Sequence, residues 1–287
     1  MANPHALAAR LALNTGDDLG QLSDGLGSAT NPTGLYGIYG LALAALAQTF
    51  DTPAQALVVL SSFEQQARRE LRVTFADSAE LGQRTGATML NIYGVNVNGP
   101  SLLSSQLIST ATDSALSVVQ AQIIAARSAI QFGTFDKAAV LGDGERVGLL
   151  NPLPVIREST RLITATSQVV QDDTIARAVA SEPVQYGYQA IAAINERTTE
   201  CCLEVHGQVI PLDGQFELTG EPRYADFMSK PPFHWYCRTT MALVPMRDAG
   251  DAVTDELLAA AEREQQLRKS GNWNTTTKPV SGVSRRG

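Results

Sequence analysis

The sequence predicts an α+β protein: a mainly helical N-terminal half followed by a small α+β domain with a short antiparallel sheet and a Cys/His cluster. Three observations lead there. Apolar residues recur three and four apart through roughly the first 130 positions, the period of an amphipathic helix. After Pro183 the pattern changes to short aromatic and aliphatic runs separated by turn residues, as strands require. All three cysteines (Cys201, Cys202, Cys237) and two of the three histidines (His206, His234) fall between Arg197 and Thr240. Length and charge set the outer limits. At 287 residues there is material for one large or two ordinary domains, and a net charge of -7 argues against a surface that coats nucleic acid throughout. Three cysteines crowded into one segment do not make a secreted disulfide framework, and the opening MANPHALAAR lacks the apolar core of a signal peptide.

The expected organisation is a helical, charge-poor docking region over residues 1–150, the α+β domain over 151–250, and an amphipathic helix with a flexible basic tail over 251–287. Asn3 and Pro4 open a short helix that carries Leu7, Leu11 and Leu13 to about Asn14. Residues 15–33, rich in Gly, Asp, Ser and Asn, read as a loop or arm. Residues 34–50 carry no charge, but their glycines and tyrosines leave too few strongly apolar positions for a bilayer, so a buried or interface helix is expected and no membrane span. Asp51 or Thr52 caps a helix with Pro53 at its first position, running to about Thr74 with Leu57, Leu60, Phe63 and Leu71 on its apolar side. Arg68, Arg69 and Arg72 lie near its C-terminal end, where cations suit the helix dipole.

From Arg84 to Asp113 there is no charged residue between the two, which implies burial. Tyr93 to Val97 reads as a short strand or extended arm, and residues 101–132 as one long helix or two broken near Thr110. Residues 133–154, punctuated by glycines, form the connection between the halves. A helix over 154–179 follows, and strands are expected within 184–194, 208–211 and 239–244. Residues 251–269 place acids first and bases last, as a helix dipole prefers, and the tail beyond them contains no acid.

The cluster carries the chemistry. Cys202 and His206 are four apart and share a face of a helical turn, while His234 and Cys237 are three apart after a Pro-Pro pair that suits a tight knuckle. Two thiolates and two imidazoles make a tetrahedral set suited to one structural zinc ion. Cys201 adjoins Cys202, but its side chain is expected to point elsewhere. Two other readings stand beside the metal: a Cys202–Cys237 disulfide stapling the same loop, and a packed cluster of thiols and hydrogen-bonded histidines without any ion.

The stretch from Asn195 to Val209, with Arg-Thr, a Cys and His-Gly-Gln-Val, together with Pro-Pro-Phe-His-Trp-Tyr-Cys-Arg-Thr, resembles the two-part signature of the phage Mu F-like head morphogenesis domain. The resemblance covers about a fifth of the chain, near residues 184–244. It implies a bacteriophage minor head protein that associates with the portal, the major capsid protein and the capsid interior, with DNA contact. The location it implies is the virion, with assembly in the host cytoplasm. The matching positions are Arg197, Thr198, Cys202, His206, Gly207, Pro232, His234, Cys237 and Arg238. Thr199 and Thr239 stand where family members often carry further cysteines.

Two function classes follow. In the first, the chain is a structural assembly protein: Arg197, Thr198, Gly207, Pro232 and Arg238 support the cluster, and Lys278, Arg285 and Arg286 of the tail are the candidates for phosphate contact. In the second, it is a metal-dependent nuclease or toxin-like effector carrying the same domain. Glu204, Asp213, Glu217 and Asp226 near the histidines, or a Cys202 nucleophile with a His234 base, would serve that chemistry. Neither set has a diagnostic spacing, so the sequence favours a protein that is not an enzyme.

Overall fold

The computed structural model describes residues 3–49, 52–97, 99–131, 140–142, 148–195, 198–218, 227–251, 259, 261–264, 266–267 and 270. Among them the helices are α1 (Pro4–Gly27), α2 (Leu35–Thr49), α3 (Pro53–Ile92), α4 (Ser104–Gln131), α5 (Pro152–Val179) and α6 (Glu200–Val205). The strands are β1 (Tyr186–Ile191), β2 (Val209–Pro211), β3 (Phe216–Glu217), β4 (Phe227–Met228) and β5 (Thr240–Pro245), the last followed by a 3-10 turn at Met246–Asp251. The chain is α+β, as the sequence predicts.

Several helices are longer than expected. α1 continues to Gly27 through the first part of the loop expected at 15–33, because Leu19 and Leu26 fall at helical spacing and are buried, while residues 28–33 are turn and loop as expected. Burial overrides the weak propensity of the glycines and aspartates there. Gly16 has a further reason to lack a side chain: a Cβ at that position would lie 2.6 Å from the Arg238 carbonyl oxygen. α3 begins at Pro53 as predicted but runs on past Thr74, since Phe75, Ala79, Leu81, Met89 and Leu90 keep an apolar face buried. It stops where the Gly94 N–H bonds Asn91 O and the Val95 N–H bonds Leu90 O, with Val95 and Leu90 both buried. Residues 93–97, expected as a short strand or extended arm, are this turn at 93–94 and then irregular chain at 95–97. α4 is one unbroken helix.

The chain divides into two compact units that are discontinuous in sequence. One comprises Leu19–Leu81 and Leu102–Ser167; the other comprises Met1–Asp18, Gly82–Ser101 and Gln168–Gly287. The boundary expected near residue 150 therefore falls inside the first of these, because α1, α3 and α5 each contribute residues to both units. Long helices carry the partition, and glycine-rich connections do not.

The Leu19–Leu81 and Leu102–Ser167 unit is helical. Its core includes Leu35, Tyr39, Leu46, Leu60, Phe63, Leu71, Val119, Ile123 and Ile163, with Tyr39 set edge-on to Phe63 at 4.7 Å between ring centroids. Gln122 accepts the Tyr39 hydroxyl at 2.8 Å and bonds both the carbonyl and the N–H of Asn151, which fixes the entry to α5 against α2 and α4. The uncharged α2 buries Leu35, Ile38, Tyr39, Ala42 and Leu46. Among the described residues no helix is long and apolar enough to cross a membrane.

The second unit holds the three-stranded antiparallel sheet, in the order β2-β1-β5. β1 is central and every residue of β1 and β5 is buried, so these strands read as near-continuous apolar runs. The register pairs Tyr188 with Ile210 on one side and Leu243 on the other. The ends of α1, α3 and α5 in this unit pack on the sheet: Gln171 of α5 donates to the Met241 carbonyl at 2.8 Å, and Thr240 bonds the Ala12 carbonyl of α1. β3 and β4 form a separate two-stranded ladder that the sequence did not suggest. Asp251 closes the 3-10 turn, and the described residues of the expected 251–269 helix, at 259, 261–264 and 266–267, are helical. The tail with Lys278, Arg285 and Arg286 lies outside the described residues.

The two uses of glycine can be separated by experiment. A Cβ at Gly16 meets backbone, whereas one at Gly40 in α2 meets nothing within 4 Å. Gly16→Ala is expected to lower the unfolding free energy by about 1–3 kcal/mol through overpacking, and Gly40→Ala to raise it by about 0.5–1 kcal/mol through helix propensity. Urea-unfolding midpoints should move in opposite directions.

Candidate metal centre

α6 and the turn at 234–237 bring the cysteines and one histidine together. Thr199 precedes α6 with extended backbone, and its hydroxyl makes no cap bond to the helix. It points instead to His234 Nε2 at 2.8 Å and to Cys201 Sγ at 3.1 Å. A cap is worth about 1 kcal/mol, so its loss must be offset by these contacts. Cys202 Sγ lies 3.0 Å from His234 Nε2 and 3.8 Å from Cys237 Sγ. All three cysteines are reduced and buried, at 0%, 2% and 2% exposure for Cys201, Cys202 and Cys237.

The His234 tautomer follows from its other nitrogen. Nδ1 contacts the Trp235 carbonyl, which can only accept, so Nδ1 carries the proton. Nε2 therefore faces the sulfurs and, in the neutral ring, turns its lone pair to them. This is the arrangement by which a backbone carbonyl orients a metal-binding imidazole. The turn that presents it follows a cis Pro231–Pro232 bond and places Tyr236 at a φ of 61°, a left-handed conformation uncommon for a bulky side chain.

The electrostatics of the group are those of shared protons. Burial pushes the Cys202 thiol well above its ordinary value, and the neighbouring sulfurs of Cys201 and Cys237 add to this. Burial also opposes ionisation of Cys237, yet the hydrogen bond from Cys202 and the charge of His234 hold it well below the ordinary thiol range. Cys201 is lowered by its bond to Cys202, against burial and with help from His234. For His234, burial disfavours the imidazolium, but the Cys237 thiolate outweighs it and raises the group to about 9. Anionic sulfur is thus favoured beside a protonated Nε2, and a thiophilic cation would take the place of that proton.

Cys201, Cys202 and His234 place their ligand atoms within 4.8 Å of one another and can hold a metal ion. Three corrections to the sequence reading follow. Cys237, expected as a ligand, stands 3.8 Å from Cys202 Sγ but is not one of the three. Cys201, expected to point away, belongs to the group, because the 234–237 turn lies across the first turn of α6 and meets both adjacent side chains. His206, expected as a ligand, is not in the group. Its Nδ1 accepts the buried Ala192 N–H at 3.0 Å, which uses that lone pair and leaves the ring proton on Nε2. His206 is the C-cap of α6 and holds the end of β1, a structural task.

The other expected residues divide similarly. Thr198 is buried, accepts the Asn195 N–H at 2.8 Å and donates to the Ala193 carbonyl at 2.7 Å, closing the loop before α6. Gly207 adopts a φ of +85° just after the helix, and its N–H reaches the Ala190 carbonyl at 2.8 Å. Only a residue tolerant of that conformation turns α6 back onto β1. Pro232 belongs to the cis pair, and Arg238, half-buried, packs its carbonyl on Gly16. Arg197 lies outside the described residues. Thr199 touches the cluster at a position where the family resemblance would put a thiol.

The sequence reading also missed an anchor. Asp172 of α5 accepts the Tyr188 hydroxyl and pairs with Lys230, whose ammonium stands 5.2 Å from the centre of the Tyr188 ring. This ties the residue before Pro231–Pro232 to the central strand and so sets where His234 arrives. A charged residue beside the Pro-Pro pair was the available signal. Comparison of the chain with known protein-family models, with curated proteins and with solved structures returned no match.

The structural role of His206 is testable. His206→Ala is expected to cost about 1–3 kcal/mol by stranding the Ala192 N–H, and His206→Asn, whose oxygen can replace Nδ1, should recover part of it. Metal content, read by elemental analysis, should change in neither variant.

Proposed function

We propose that the chain is a bacteriophage minor head protein, located in the virion and assembled in the host cytoplasm, whose Cys/His cluster holds one structural zinc ion. One observation carries this reading. The two separated segments on which the resemblance to the phage Mu F-like domain rests meet in space, with Cys202 3.0 Å from His234 and 3.8 Å from Cys237. A cluster of that kind cross-braces a small domain. Two thiols and an imidazole, with the Cys237 thiol beside them, favour zinc among divalent ions, since soft sulfur ligands and tetrahedral geometry suit it.

A thiolate beside an imidazolium is also how cysteine nucleophiles are activated. Burial speaks against that use here: at 2% exposure Cys237 and Cys202 are out of a substrate's reach. Glu217 and Asp213 are drawn into no such group among the described residues. The helical, charge-poor segments are the surfaces we assign to portal and capsid subunits, and the basic tail is the part we assign to DNA.

The chain is expected to pellet with purified phage heads at low copy and to capture portal protein in a pull-down. A wholly soluble pool that cleaves DNA in magnesium would instead favour the nuclease reading. Purified protein is expected to contain about one zinc per chain, lost on His234→Ala. A metal-free protein whose three cysteines all titrate as thiols would refute the metal reading.

A further inference from the structure

The ligand set of the ion can be taken further than the group of three. Zinc–sulfur bonds of about 2.3 Å and zinc–nitrogen bonds of about 2.0 Å, set tetrahedrally, place sulfurs about 3.8 Å apart and sulfur about 3.5 Å from nitrogen. Cys202 and Cys237 already stand at 3.8 Å, and Cys202 lies 3.0 Å from His234 Nε2. Cys201 lies within 4.8 Å of both Cys202 and His234. His206 has committed its Nδ1 lone pair to Ala192. No fourth ligand of another chemical type joins the group among the described residues.

We infer that the ion is held by a closed set of three thiolates and one imidazole, from Cys201, Cys202, Cys237 and His234, with no water in its coordination sphere. This rests on the metal reading proposed above and deepens it. Successive residues of α6 supply two ligands and one short turn supplies the other two, so binding costs only small movements of side chains on elements already in place. Cys237 is the residue that must close in, since it stands 3.8 Å from Cys202 yet outside the group of three. The Thr199 hydroxyl, 3.1 Å from Cys201 Sγ, becomes a donor to a bound thiolate. The Trp235 carbonyl holds Nδ1–H and keeps Nε2 on the ion. Three thiolates around a dication leave one net negative charge, which that hydroxyl partly offsets. A closed set offers no open position to a substrate, so the ion braces and does not react.

X-ray absorption fine structure of the full-length wild-type protein, loaded with zinc alone, tests this without any substitution. The expected result is three sulfur scatterers at about 2.3 Å and one nitrogen at about 2.0 Å. Two sulfurs with two lighter scatterers would overturn it, and so would a protein that retains no zinc after equimolar loading and dialysis. Cobalt(II) loading of variants gives a second measure: Cys201→Ser and Cys237→Ser should each lose about a third of the sulfur-to-metal charge-transfer absorbance, while His206→Ala should keep all of it. Full absorbance in Cys237→Ser would remove that residue from the set. The sulfur count is read on isolated protein and head association on particles, so a two-sulfur result leaves the head-protein reading intact, and failure to pellet with heads leaves the ligand set intact.

Discussion

The approach of the 234–237 turn to the first turn of α6 is the constraint on which the rest of the sheet-bearing unit depends. Cys202 on one element and His234 and Cys237 on the other are separated by more than thirty residues of chain. Closing such a loop costs entropy that weak contacts between short elements would not repay. Ionisable sulfur and nitrogen in contact, away from water, either share protons or share a cation. Both arrangements hold the segments together, and a cation does so with bonds that do not depend on which sulfur keeps a proton.

The surrounding fold is arranged to deliver those two segments. β1 and β5 pair over their whole lengths, so the turn that precedes β5 is fixed relative to the loop that follows β1. α6 leaves that loop and is returned to the sheet by Gly207 and His206, which bond the Ala190 carbonyl and the Ala192 N–H. On the far side, Asp172 holds Lys230 and Tyr188 together, and Gly16 lets α1 close on the Arg238 carbonyl. Each contact is modest alone. Together they restrict where His234 and Cys237 can lie.

The helical unit is built on different terms. Its core is aliphatic and aromatic, with a few polar bridges such as Gln122 between Tyr39 and Asn151. α5 is less usual, because Ser159, Thr160, Thr164, Thr166 and Ser167 are all buried along its stretch in this unit. Small hydroxyl side chains allow close helix packing, and some return their protons to the helix backbone, as Thr160 does to Arg157.

By itself the sequence determined the α+β class, the positions of the three sheet strands, the start of α3 at Pro53, and the concentration of metal-binding side chains between Arg197 and Thr240. These are local matters: periodicity, capping and composition act within a few residues of where they are read. The lengths of α1 and α3 escaped it because burial of Leu19, Leu26, Phe75 and Met89 stabilises helix where propensity alone is indifferent. The unit boundary escaped it because continuous helices serve both units. The exchange of His206 for Cys201 was decided only in three dimensions. Spacing tells which side chains share a face, but which face meets the other segment, and whether a lone pair is already taken by a backbone N–H, depends on the packing of α6 against β1 and the turn before β5.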